Sequence, residues 1–109
     1  MGDEEAKRRL VGTWVADVVE LGVATRIVWR VTPDGRSSYT FATAAGRATG
    51  GTMWTYSDGE LSEQPLDGTH PSSASIKWSD VDHFVLTLID IGDPRATGFK
   101  RRYARQKPG

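Results

Sequence analysis

The chain contains no cysteine, no asparagine and no excess of either charge. The missing cysteine excludes disulfide frameworks, thiol chemistry and cysteine-based zinc sites. The 14 basic residues equal the 14 acidic ones. A polyanion-binding domain carries a clear excess of base, so no nucleic-acid partner is expected. No apolar run approaches the length of a membrane span, so no membrane partner is expected either. The opening Met1-Gly2-Asp3-Glu4-Glu5-Ala6 has no basic n-region and no apolar h-region. No secretory signal is therefore expected, and with the absent cysteine this predicts a cytoplasmic protein. Position 6 also lacks the Ser or Thr of a myristoylation signal. The lack of asparagine, and ten Arg against four Lys, suit a GC-rich bacterial source.

What is present points to strands. Twelve glycines and four tryptophans stand among many Thr and Val residues, a composition of strands broken by turns. With 109 residues there is area for one hydrophobic core and one domain. Turn signals recur at Leu21-Gly22, Pro33-Asp34-Gly35, Ala45-Gly46, Ser57-Asp58-Gly59, Asp67-Gly68, Ser79-Asp80 and Gly92-Asp93-Pro94. They divide the chain into segments of about 8 to 11 residues, the spacing of an all-β sandwich or barrel.

Alternation inside the segments gives each strand an inner face. These faces are Val23, Thr25, Ile27, Trp29 and Val31, then Tyr39, Phe41 and Thr43, then Trp54 and Tyr56. Later segments add Ala74, Ile76 and Trp78, then Phe84, Leu86 and Leu88, and finally Phe99, Arg101, Tyr103 and Arg105. Glu60 to Leu66 is the weakest strand, because Pro65 has no amide hydrogen. Asp3 to Leu10 reads as a short helix, with Asp3–Lys7, Glu4–Arg8 and Glu5–Arg9 at i,i+4. It is stable only if Ala6 and Leu10 dock.

Consecutive antiparallel strands with short hairpins close most simply as an up-and-down barrel. The fold expected is all-β: an eight-stranded antiparallel up-and-down barrel over residues 12–105. The helix at 1–11 packs on it, and 106–109 form a flexible tail.

Gly12-Thr13-Trp14 directly after the short helix resembles the Gly-x-Trp start of lipocalins and the wider calycin superfamily. Pro33-Asp34-Gly35, Gly51-Thr52-Met53-Trp54 and Arg101-Arg102-Tyr103-Ala104-Arg105 extend the resemblance to small bacterial lipocalin-like domains of unknown function. It spans about residues 8 to 105. The resemblance implies a barrel that binds a small apolar or amphipathic ligand. The chain is shorter than secreted lipocalins and lacks their signal peptide and cysteines. It also implies that an Arg of the last strand, Arg101 or Arg105, packs over Trp14 as a cation–π lid. Similarity to fatty-acid-binding proteins implies a different use of the same strand. There an Arg-x-Tyr pair, here Arg101 and Tyr103, grips a ligand carboxylate.

The residues expected to bind ligand are Arg101, Tyr103, Trp29, Phe41, Trp54, Tyr56, Ile76, Phe84 and Leu86. Gly12, Trp14 and Arg105 are expected to be structural. Tyr39 is a further aromatic candidate for the pocket wall or for simple filling of the barrel. Asp80-Val81-Asp82-His83 reads as turn capping rather than a metal cluster, and no metal or cofactor is expected. Gly46 to Gly51 lacks the ending of a phosphate loop, and there is no nucleophile elbow. Asp17 and Glu20 are acid/base candidates only if they face a cavity. Val85, Thr87 and Ile89, with Val15, Val19, Val28 and Met53, form apolar positions on outer faces. Outer apolar area predicts a homodimer through the barrel wall. Ligand binding leads, with a homodimeric interaction module and a small barrel isomerase or cyclase as the alternatives.

Overall fold

A computed structural model describes residues 1–107. Helix α1 (Asp3–Leu10) precedes strands β1 (Gly12–Glu20), β2 (Val23–Val31), β3 (Arg36–Thr43) and β4 (Gly46–Ser57). Strands β5 (Glu60–Pro65), β6 (Ser72–Asp80), β7 (His83–Asp90) and β8 (Lys100–Arg105) follow, with a 3₁₀ turn at Pro94–Ala96. Each strand pairs antiparallel with the next, and β8 returns to β1, so the sheet is a closed up-and-down barrel in chain order. Of the expected tail, Gln106 and Lys107 are exposed and lie outside regular structure, while residues 108–109 fall outside the described residues.

The turns fall at the expected positions with three displacements: the β3–β4 turn lies at Ala44-Ala45 and the turn after β5 at Leu66-Asp67, each one residue early, and the third is between β6 and β7. The β6–β7 turn lies at Val81-Asp82 and not at Ser79-Asp80. The Asp80 carboxylate accepts from the Asp82 amide at 2.8 Å and contacts His83 Nδ1 at 2.8 Å. An aspartate that bonds the backbone two residues on belongs at the start of a turn, which carries the strand one residue further. The helix pairs also differ in part. Glu5–Arg9 forms, but Lys7 meets Glu4, and Asp3 accepts from the Asp58 amide in the β4–β5 turn at 2.9 Å. That last bond ties the helix start to the barrel's closed end.

This end is filled solid. Trp14, Trp78 and Phe84 meet edge to face, with centroids 4.6 to 5.8 Å apart. Leu10 of α1 is fully buried, and its carbonyl, left free at the helix end, accepts from Trp14 Nε1 at 2.9 Å.

The seam between β1 and β8 is the shortest part of the ring. It has two register pairs, Trp14 with Arg105 and Val15 with Ala104. The Gln106 amide adds a bond to the Thr13 carbonyl at 2.8 Å. Arg105 reinforces it. Its guanidinium lies 4.3 Å from the Trp14 ring centroid. It donates to the carbonyls of Val11, Arg9 and Val81, and to the Asp82 carboxylate, at 2.8 to 3.1 Å. One side chain thus joins the last strand, the first strand, the helix exit and the β6–β7 turn.

The glycine at position 12 follows from this. Its φ is +141°, and a Cβ there would lie 2.7 Å from Arg105 Nη1. A side chain would meet both backbone strain and the guanidinium. Urea unfolding should show Gly12→Ala destabilised by about 1–3 kcal/mol. Trp14→Ala, which empties the base, should lose about 3–5 kcal/mol. An unchanged midpoint in either variant would contradict this account of the closed end.

Candidate functional site

Above the aromatic base the interior is not filled. A cavity of about 180 Å³ lies within the barrel. Its apolar wall comes from Trp29, Phe41, Leu61, Pro65, Ala74, Leu86, Leu88 and Ile91. Its polar groups are Tyr39, Thr52, Glu63, Ser72, Ser73, Arg101 and Tyr103. Period-two alternation delivers most of them, since they belong to the inner rows of their strands.

Arg101 faces inward, as the shared face with Phe99 and Tyr103 requires. It does not touch Trp14; the guanidinium over that ring is that of Arg105. Arg101 Nε and Nη2 donate to the two oxygens of Glu20 at 2.8 and 2.9 Å. This is the bidentate fork geometry that binds carboxylates strongly. The pair spans the β1–β8 seam beyond its last backbone pairing, so it also holds the mouth end of the seam. The guanidinium carbon lies 5.9 Å from the Phe41 ring. Of the two acid/base candidates on β1, Glu20 pairs with the cavity residue Arg101 without lining the cavity itself, and Asp17 pairs with Arg26 on the exposed outer face.

Tyr103 is buried beneath Arg101 and packs on Trp29 and Phe84. Burial pushes its phenol up to about 12, against the opposing pull of the Arg101 charge. Tyr39 stacks between Trp29 and Phe41, with centroids at 6.1 and 5.6 Å. Burial, and then the neighbouring Glu63 charge, hold its phenol well above the ordinary value. Both tyrosines therefore stay hydrogen-bond donors at neutral pH.

Glu63 was not among the expected site residues. It is 6% exposed. Its Oε2 accepts from Ser37 Oγ and Thr52 Oγ1, each at 2.8 Å, and its Oε1 accepts from the Tyr39 hydroxyl. Alternation carried a usable signal: Leu61, Glu63 and Pro65 share one face, so an inward Leu61 carries Glu63 inward. The proline that marks β5 as weak masks that face. Trp29 Nε1 is also buried without a hydrogen-bond partner.

The other expected residues separate by height along the barrel. Trp29, Phe41, Leu86, Arg101 and Tyr103 meet at the cavity. Trp54, Tyr56, Ile76 and Phe84 are buried but do not line it. Trp54 Nε1 donates to the Arg36 carbonyl at 3.1 Å, and Phe84 belongs to the aromatic base. Asp80 and His83 pair with each other while Asp82 holds Arg105. Among the described residues no group of three or more His, Asp or Glu could hold a metal ion. Likewise no helix there is long and apolar enough to cross a membrane.

No family model, no curated protein and no solved structure matches the chain. The architecture itself, an eight-stranded antiparallel barrel, is consistent with a lipocalin-like fold.

The buried phenols set a pH dependence. Unfolded tyrosines ionise near pH ~10, whereas Tyr103 keeps its proton to about 12 in the folded chain. Between these values the unfolded chain releases a proton that the folded chain retains. The stabilisation is therefore complete below the lower value and lost as pH rises towards the upper one. Urea midpoints should fall from about pH 9.5 upward, and more shallowly in Tyr103→Phe. Identical slopes in the two proteins would show that Tyr103 does not contribute.

Proposed function

We propose that the protein is a lipocalin-like binding protein that holds one compact apolar or amphipathic molecule in the upper half of its barrel. The observation that carries this reading is the barrel cavity, about 180 Å³, with a largely apolar wall and a few convergent polar groups. That pattern is typical of small-molecule sites. Its size restricts the occupant. A dry apolar cavity of roughly 150 Å³ accepts benzene, so this one suits a single ring with a small substituent and is too small for a fatty acid chain. The bacterial and cytoplasmic assignments belong to the same proposal and rest on composition.

The charge of the occupant depends on Arg101. Glu20 takes the Nε–Nη2 edge of the Arg101 guanidinium. A ligand carboxylate seeking that same edge has to displace Glu20, and one held by Nη1 meets a cation whose charge Glu20 already balances.

Quenching of Trp29 fluorescence tests the binding reading, with benzyl alcohol as the compact probe and palmitate as the long one. Benzyl alcohol should give a saturable signal and palmitate none. Ala74→Phe fills the cavity from β6 and should abolish the signal, at a cost of about 1–3 kcal/mol in stability. Saturable palmitate binding, or an Ala74→Phe protein that still binds benzyl alcohol, would overturn the size argument.

The outer wall supports a second reading, self-association of two copies. Val19 and Ile89 face outward, 73% and 43% exposed, beside the half-buried Val85. Lys77 and Arg102 lie opposite Val85 across the ladder, so Val85→Glu gains two cationic neighbours and keeps the fold. Sedimentation should show a dimer in the parent chain and a monomer in the variant. A monomeric parent would remove this reading.

A further inference from the structure

Among the described residues Glu63 is the buried charge for which the fold supplies no counter-charge. It is buried, and among the described residues no Lys, Arg or His nitrogen lies within 4.0 Å of it. A buried carboxylate without a cation is costly. Three hydroxyls, from Ser37, Thr52 and Tyr39, bond to it, and they spread its charge without cancelling it. A carboxylate offers about four acceptor positions, so one remains on Oε1, beside Tyr39. The only cation of the cavity wall, Arg101, is matched by Glu20. Counting these three groups, the cavity holds one uncompensated negative charge.

The surroundings of that charge suit a cation of organic character. Trp29, Tyr39 and Phe41 line the cavity together, and aromatic rings attract ammonium groups more strongly once water is excluded. Leu61, Ala74, Leu86 and Leu88 add aliphatic wall. A purely apolar occupant would leave Glu63 unanswered, and an anion would be repelled by it.

We infer that the cavity takes a compact primary amine in its protonated form, with the ammonium donating to Glu63 and the apolar remainder packed against Leu61, Leu86 and Leu88. This rests on the cavity being a ligand site, and it adds the charge and the group that decides specificity. Glu63 acts as the counter-ion, Ser37 and Thr52 fix its rotamer, and Tyr39 orients the oxygen that receives the ammonium.

Calorimetric titration at neutral pH with benzylamine, benzyl alcohol and benzoate tests it, because the three probes share one ring and differ in charge. Benzylamine should bind about tenfold or more tighter than benzyl alcohol, as expected for a charge-assisted bond, and benzoate should bind weakest. In Glu63→Gln, benzylamine should fall to the level of benzyl alcohol, whose own affinity should change less than about threefold. Benzyl alcohol binding as tightly as benzylamine to the parent protein would overturn the amine assignment and leave the cavity reading standing. So would a Glu63→Gln protein that keeps the benzylamine preference. Failure of all three probes to bind would overturn both. If Glu63→Gln does not fold, the ranking of the three probes on the parent protein decides the question alone.

Discussion

The guanidinium of Arg105 is the contact on which the barrel depends. Seven of the eight strand junctions are hairpins or chain neighbours, and their closure is local. The eighth joins the two ends of the sheet, with two register pairs to hold it. Arg105 adds four hydrogen bonds and a cation–π contact at that point. Three of its acceptors are backbone carbonyls at the helix exit and in the β6–β7 turn, groups that helix or ladder bonding leaves without a partner. The need for this contact reaches back into the sequence. It demands glycine at position 12, where a side chain would strike the guanidinium, and an indole at position 14 as the surface beneath it.

Filling one end decides what the other end can do. An eight-stranded barrel has interior room for side chains or for one small ligand. Here the room is divided along the axis. Three large aromatic rings and the docked helix occupy the base, and smaller residues, Ala74, Leu61 and Leu86, face each other above it. The charges also divide. Arg101 and Glu20 cancel across the β1–β8 seam, while Glu63 has hydroxyl partners alone. The interior is therefore apolar in area, small in volume and negative in one defined place.

Much of the fold was legible because turns and period-two alternation are local. Gly22, Gly35 and Gly59 take positive φ in the expected turns, and the inner rows of β2, β6, β7 and β8 follow from alternation alone. Height along the axis was not legible. Alternation assigns a face, but strand tilt and register decide which inward residues share a level. That is why Trp54, Tyr56, Ile76 and Phe84 face inward without reaching the cavity. Partner choice was also hidden. Arg101 and Arg105 share one face of one strand, and only the register of β8 against β1 sends the second to Trp14 and the first to Glu20, 81 residues away in the chain. Glu63 was hidden by a different cause, since a proline-bearing strand of polar residues does not advertise an inner face.

The interior is solid at the base and open above it. Methyl-labelled NMR titrated with benzyl alcohol reports on this residue by residue. The account predicts shifts for the methyls of Leu61, Leu86, Leu88 and Ile91, which border the cavity, and none for Leu10 or Val31 in the packed interior. Shifts confined to the exposed Val19, Leu21 and Val23, with the interior methyls unmoved, would contradict it.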